Sequence, residues 1–119
     1  MKRIMAVYDA DPFYAERFAE FANQKEKIPF TVVAFTSLAR LKEFADQKPV
    51  ELLLVGDEVP VESLKEIPVQ QVMRLGEMKK EAGPDTPVIY KYQSSEAVLR
   101  EVMACYQIQP EQPPLMAVG

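Results

Sequence analysis

The side chains best suited to chemistry in this sequence directly follow its most apolar segments. Asp9 and Asp11 come after the first such segment, RIMAVY, and Asp57 comes one position after a second segment that ends in Gly56. Lys91 lies near the end of a third, PVIYKY. Carboxylates suit hard cations such as Mg²⁺, and a lysine offers a point charge to a phosphoryl oxygen. Brought together by a fold, these residues would suit a cation or phosphoryl site.

The composition excludes several other kinds of site. The sequence contains no histidine, which removes histidine-based triads and the usual zinc sites. The single cysteine, Cys105, falls on an apolar helical pattern and is interpreted as a small buried hydrophobe of a cytoplasmic protein. The formal net charge is −4 and the cations are dispersed, which argues against a nucleic-acid partner. No apolar run reaches the roughly 20 residues that span a bilayer.

The elements that must position these residues alternate between strands and helices. Apolar, β-branched segments predict strands at 3–8, 30–35, 51–55, 70–76 and 87–92. Asp11 before Pro12, Ser37 and Ser94 are start signals for three amphipathic helices.

The two remaining connections are poorer in helical signal. VESLKEIP, at 61–68, leaves room for a short third helix. EMKKEAGPDT, at 77–86, is polar and broken by Gly-Pro, and predicts an eroded fourth helix. The whole order predicts an α/β fold with a doubly wound, flavodoxin-like parallel sheet of five strands in the order 2-1-3-4-5.

In that sheet order the ends of the first and third strands form one crevice. Asp9, Asp11 and Gly56 with Asp57 would lie there, with Lys91 opposite. A structural interpretation is also open, in which the first two acids serve as turn and helix-cap residues and the acids after Gly56 lie in a solvated loop.

The same motifs, in this order, resemble the receiver domain of response regulators. VYDADP resembles the strand that ends in an acidic pair, and ELLLVGDEVP the aliphatic strand that ends in the phosphoaccepting aspartate. VIYKYQSSEAVLREVM resembles the segment in which a lysine at the end of the fifth strand precedes the last helix. The resemblance covers residues 1 to about 106 and implies the receiver fold.

The departures from the receiver pattern indicate a lost activity. The resemblance places Gly56 at the phosphoacceptor, Ala10 at the second acid, and Gly76 where a hydroxyl is expected. Asp9 and Lys91 are retained. Phosphorylation needs a nucleophile, a metal and a hydroxyl together, so we interpret the domain as a pseudo-receiver that is not an enzyme and binds no cofactor.

A narrower resemblance is to the N-terminal domain of TadZ/CpaE-type proteins. It implies a localisation or regulatory module attached to a MinD/ParA-like ATPase that acts in Flp/Tad pilus assembly. Residues 1–106 would be the atypical receiver, and the proline-rich residues 107–119 a linker to an ATPase domain, the only part that would bind ATP.

Protein partners, a second copy included, would dock on the face of the fifth strand and last helix, which presents Tyr90, Tyr92, Gln93, Glu96 and Arg100. The tyrosines could instead only pack the sheet.

Two other functions remain open. One is a working receiver that is phosphorylated on Asp57, with Mg²⁺ held by Asp9 and Asp11, although a shift of one position in an extended segment turns Asp57 away. The other is a nucleotide or flavin binder, disfavoured because the loop DADPFY lacks glycine.

Overall fold

The computed structural model describes residues 3–77 and 87–108. Their elements are, in chain order, β1 (Arg3–Tyr8), α1 (Pro12–Asn23), β2 (Phe30–Phe35), α2 (Leu38–Gln47), β3 (Val50–Gly56), α3 (Val61–Leu64), β4 (Val69–Gly76), β5 (Val88–Tyr90) and α4 (Ser95–Ile108). All strand pairs are parallel and the order is β2-β1-β3-β4-β5. This confirms the predicted flavodoxin-like sheet.

The three long helices begin where the sequence places their caps. The Asp11 carboxylate accepts the main-chain N–H groups of Phe13 at 3.0 Å and Tyr14 at 3.4 Å. Hydroxyls do the same for the other two helices, with Ser37 Oγ 3.1 Å from the nitrogen of Arg40 and Ser94 Oγ 3.0 Å from that of Ala97. Each cap satisfies N–H groups that the first helical turn leaves without a partner.

The sheet is buried on both faces, which explains the apolar run of β3. One core packs α1 and α4 against the sheet and includes Phe18, Leu52, Leu54 and Val98. The other packs α2 on the opposite face and includes Leu41, Leu53 and Val55. Alternate residues of β3 therefore enter different cores, and a strand with two buried faces reads as a continuous apolar run.

The structure changes some predicted boundaries. The fifth strand covers only Val88–Tyr90, so Lys91 lies just past its end. The last helix continues to Ile108. The predicted fourth helix, apart from Glu77, and residues 109–119 of the predicted linker lie outside the described residues. Within the described ranges, none of the helices has the length and apolar character needed to cross a membrane.

Candidate functional site

A buried ion pair joins the two ends of the predicted site. Asp9 follows β1 and Lys91 follows β5, and the lysine Nζ lies 2.9 Å from Oδ1 and 2.8 Å from Oδ2 of the aspartate. The side chains are only 0% and 7% exposed, respectively. Burial lowers the pKa of Lys91, but the hydrogen bonds and the charge of Asp9 outweigh it, and the pKa is raised. The ammonium is therefore held in its charged form.

Two tyrosines flank this ammonium. The ring centroids of Tyr14 and Tyr92 lie 4.9 Å and 5.5 Å from Lys91 Nζ, within the range of cation–π attraction. The Tyr14 hydroxyl also donates to the carbonyl oxygen of Lys91 at 3.1 Å. Burial, followed by the charges of Asp9 and Tyr92, raises the pKa of Tyr14 to about 12. Tyr14 lies in the first predicted helix, and no motif in the sequence indicated this role.

The space over Gly56 is filled by a neighbouring carboxylate. A Cβ built on Gly56 would lie 2.5 Å from Oε2, 2.6 Å from Oε1 and 2.8 Å from Cδ of Glu58. The same Oε2 accepts the main-chain N–H of Ala10 at 3.0 Å. The carboxylate of Glu58 thus occupies the place into which a side chain at position 56 would project, and it joins the loops that follow β1 and β3.

No motif in the sequence predicted that Glu58 would reach the place of the missing side chain. The prediction that Asp57 is turned away assumed an extended segment. The chain instead turns, and the N–H of Val59 bonds to the carbonyl of Gly56 at 3.2 Å. The turn and the longer side chain of glutamate together bring the Glu58 carboxylate back over position 56.

A buried arginine holds this turn in place. Arg74 of β4 is 8% exposed, and its Nη2 donates to the carbonyl oxygens of Gly56 at 3.2 Å, Asp57 at 3.1 Å and Val59. The N–H of Asp57 also bonds to the carbonyl of Leu75 at 2.7 Å. Main-chain carbonyls thus accept from Nη2 of the buried guanidinium, while its buried Nε has no hydrogen-bond partner among the described residues.

The other predicted site residues have structural contacts. Asp11 caps α1 with its carboxylate and donates its N–H to Asp9 Oδ2 at 2.9 Å. The side chain of Asp57 is half-buried. Gly76 accepts the N–H of Lys91 at 2.9 Å through its carbonyl. In the described part of the chain, no cluster of three or more acidic or cysteine side chains has a metal-binding arrangement.

The residues of the predicted docking face lie at the β5 edge of the described sheet and on α4. The rings of Tyr90 and Tyr92 meet edge to face, with centroids 6.0 Å apart. Gln93 Nε2 donates to the Tyr90 carbonyl at 2.8 Å. Arg100 and Glu96 form an exposed pair at 3.6 Å along α4. Tyr92 is 58% exposed, so a partner could reach its ring.

Comparison with solved structures identifies the fold as that of receiver domains. The signal receiver domain of a NarL response regulator from Mycobacterium tuberculosis superposes with a TM-score of 0.58, at 13% identity over 91% of this chain and 98% of that domain. A response regulator receiver domain protein from Bacillus halodurans gives 0.59, at 14% identity over 87% of this chain and 97% of the other. No protein-family model and no curated protein matches the sequence.

Proposed function

We propose that this chain is a pseudo-receiver, a non-catalytic module that docks other proteins and does not accept a phosphoryl group. The observation that carries the proposal is the filled space over Gly56. Position 56 has no side chain, and the carboxylate of Glu58 lies where one would project. A phosphoryl donor therefore meets a carboxylate already bonded to the N–H of Ala10.

The rest of the crevice supports the same proposal. Transfer to a carboxylate needs a nucleophile together with a metal ion that neutralises the phosphoryl oxygens. Asp9 makes its ion pair with Lys91, and Asp11 caps a helix. Gly76 has no hydroxyl to bind a transferred phosphoryl group. Each group that could assist the transfer is thus absent or already engaged.

The finer assignment rests on the resemblance of the sequence to TadZ/CpaE-type proteins. By that resemblance the module localises or regulates an attached MinD/ParA-like ATPase in Flp/Tad pilus assembly, in the cytoplasm. The docking face would be the β5 edge, where Tyr92 is exposed beside Gln93 and the charged pair on α4. A segment with an aromatic or aliphatic anchor would suit the exposed ring.

A phosphorylation assay tests the central part of this proposal. The chain is incubated with acetyl phosphate and Mg²⁺, and its intact mass is measured beside that of a receiver domain that keeps its phosphoaccepting aspartate. We expect no mass gain for this chain and a gain of one phosphoryl group for the control. A gain that disappears in Asp57→Asn would establish the alternative, a working receiver, and a gain that disappears in Glu58→Gln would make Glu58 the acceptor. Either result contradicts the proposal.

A further inference from the structure

A groove of about 580 Å³ lies along the outer edge of the sheet, between β2 and α2. On the helix, its lining residues recur at helical spacing and form a single stripe. On the strand, Ala34 and Phe35 line it. The groove residues are Ala34, Phe35, Thr36, Arg40, Glu43, Phe44 and Gln47.

At the groove, β2 has an outward-facing residue that is available for main-chain pairing. In the part of the chain that the structure describes, β2 has a neighbouring strand on one side only. On its outer side, the amide of Asn23 bonds to both main-chain groups of Val32, each at 2.8 Å. Because main-chain groups alternate along a strand, Ala34 presents its N–H and C=O to the same outer side. No side chain among residues 3–77 and 87–108 covers Ala34 as Asn23 covers Val32.

The charges of the groove are self-complementary. Arg40 and Glu43 are both exposed on the stripe of α2. With an ideal rise of about 3.3 Å per strand residue and about 1.5 Å per helix residue, and with α2 running back along β2, we expect Arg40 and Glu43 to lie on opposite sides of the level of Ala34, each roughly 2 Å from it. A two-fold axis through Ala34 would therefore set Arg40 of one copy against Glu43 of the other, twice.

We propose that two copies of this chain pair through the groove, with their β2 strands antiparallel about a two-fold axis at Ala34. The two alanines would exchange both main-chain hydrogen bonds, as opposed residues of an antiparallel pair do. Two Arg40–Glu43 pairs would flank them. Such a contact presents the same patch from both copies, as a two-fold interface requires.

A second copy suits this groove better than a strongly charged partner does. The chain carries a net charge of −4, so two copies repel each other over most of their surfaces. The charges of Arg40 and Glu43 cancel within the groove. Two opposed copies would therefore meet there with oppositely charged residues facing each other. Because Asn23 limits the main-chain pairing to one residue per copy and exposed ion pairs contribute little, the dimer should be weak. The proposal is independent of the pseudo-receiver function.

Sedimentation equilibrium on charge-reversal variants tests the pairing. We expect the wild type to associate to a dimer over loading concentrations from about 10 µM to about 1 mM. Arg40→Glu alone and Glu43→Arg alone should each weaken association at least about tenfold, because like charges then face each other. An equimolar mixture of the two variants should regain the dimer, since every opposed pair is again of opposite sign.

Charge reversals outside the groove provide the control. Arg17→Glu on α1 and Glu62→Arg on α3 alter exposed residues and should leave self-association unchanged, and circular dichroism checks that every variant is folded. A wild type that stays monomeric at the highest concentration overturns the proposal. So does a mixture that fails to regain the dimer, or a loss of association in the Arg17 and Glu62 variants equal to that in the groove variants.

Discussion

Removing the charge of Asp9 should strongly destabilise the chain. In Asp9→Asn the side chain keeps its shape, but the ammonium of Lys91 remains buried without a counter-ion. The pair is close, with Nζ 2.8 Å from the nearer carboxylate oxygen, and the aspartate side chain is 0% exposed. The desolvation that burial imposes on the lysine is then no longer offset.

The distance and burial set the expected magnitude. Two unit charges 2.8 Å apart attract by about 6 kcal/mol at an effective dielectric constant near 20, and desolvation of both groups offsets much of that attraction. Breaking a buried pair by removing one partner typically costs about 3–5 kcal/mol. We expect about 3 kcal/mol for Asp9→Asn, because Lys91 keeps its contacts with the rings of Tyr14 and Tyr92.

A double-mutant cycle separates the pair from its surroundings. The free energies of unfolding in urea are compared for the wild type, Asp9→Asn, Lys91→Met and the double variant. The double variant should be less destabilised than the sum of the single variants by about 2–3 kcal/mol. A loss of unfolding free energy below about 1 kcal/mol in each single variant would refute the reasoning, and so would single losses that simply add in the double variant. Either result would mean that water screens the pair.

Three further changes follow from described contacts. Arg74→Met should cost about 3 kcal/mol of unfolding free energy in urea, because three main-chain carbonyls lose the hydrogen bond from the guanidinium, although that of Gly56 keeps the N–H of Val59. Because the pKa of Tyr14 is raised in the folded state, its contribution to the free energy of unfolding is fully present below pH about 10. That contribution is lost as pH rises towards about 12. Tyr14→Phe should therefore flatten the alkaline loss of stability, leaving the part due to Lys91. Asn23→Ala should cost about 1 kcal/mol in urea, yet tighten self-association in sedimentation, since it frees Val32 for pairing.

Matched exposed substitutions control these measurements. Arg17→Met and Gln24→Ala alter a solvent-exposed arginine and a solvent-exposed side-chain amide and should change stability by less than about 0.5 kcal/mol. If Arg74→Met cost no more than Arg17→Met, the stabilisation of the turn after Gly56 by the hydrogen bonds of Arg74 would be disproved. An unchanged alkaline profile in Tyr14→Phe, or weaker association in Asn23→Ala, would contradict the other two predictions.

The sequence was sufficient to predict the fold because its local signals agree with one another. Asp11 before Pro12 marks a helix start, and four aliphatic residues before Gly56 mark a strand buried on both faces. Alternating strands and helices then limit the sheet to a few topologies. The approach of Lys91 to the end of β1 follows from the predicted order 2-1-3-4-5, which sets both at the carboxyl edge of the sheet.

The site was less predictable because it depends on contacts that no periodic pattern encodes. The return of Glu58 over Gly56 requires a turn whose geometry is fixed by Arg74, a residue from another strand. The contact of Tyr14 with Lys91 joins residues 77 positions apart. Glycine followed two positions later by glutamate, at the end of a buried strand, is the one local signal that could have indicated the filled site.

The amide resonance of Ala10 tests most directly whether Glu58 fills the space over Gly56. Its N–H donates to Glu58 Oε2 at 3.0 Å, and a Cβ on Gly56 would displace that carboxylate. In ¹H–¹⁵N spectra, Glu58→Ala and Gly56→Ala should both shift the Ala10 proton upfield, while Glu62→Ala should leave it unchanged. An Ala10 resonance that stays in place in both variants would contradict the account, because Glu58 would then lie elsewhere.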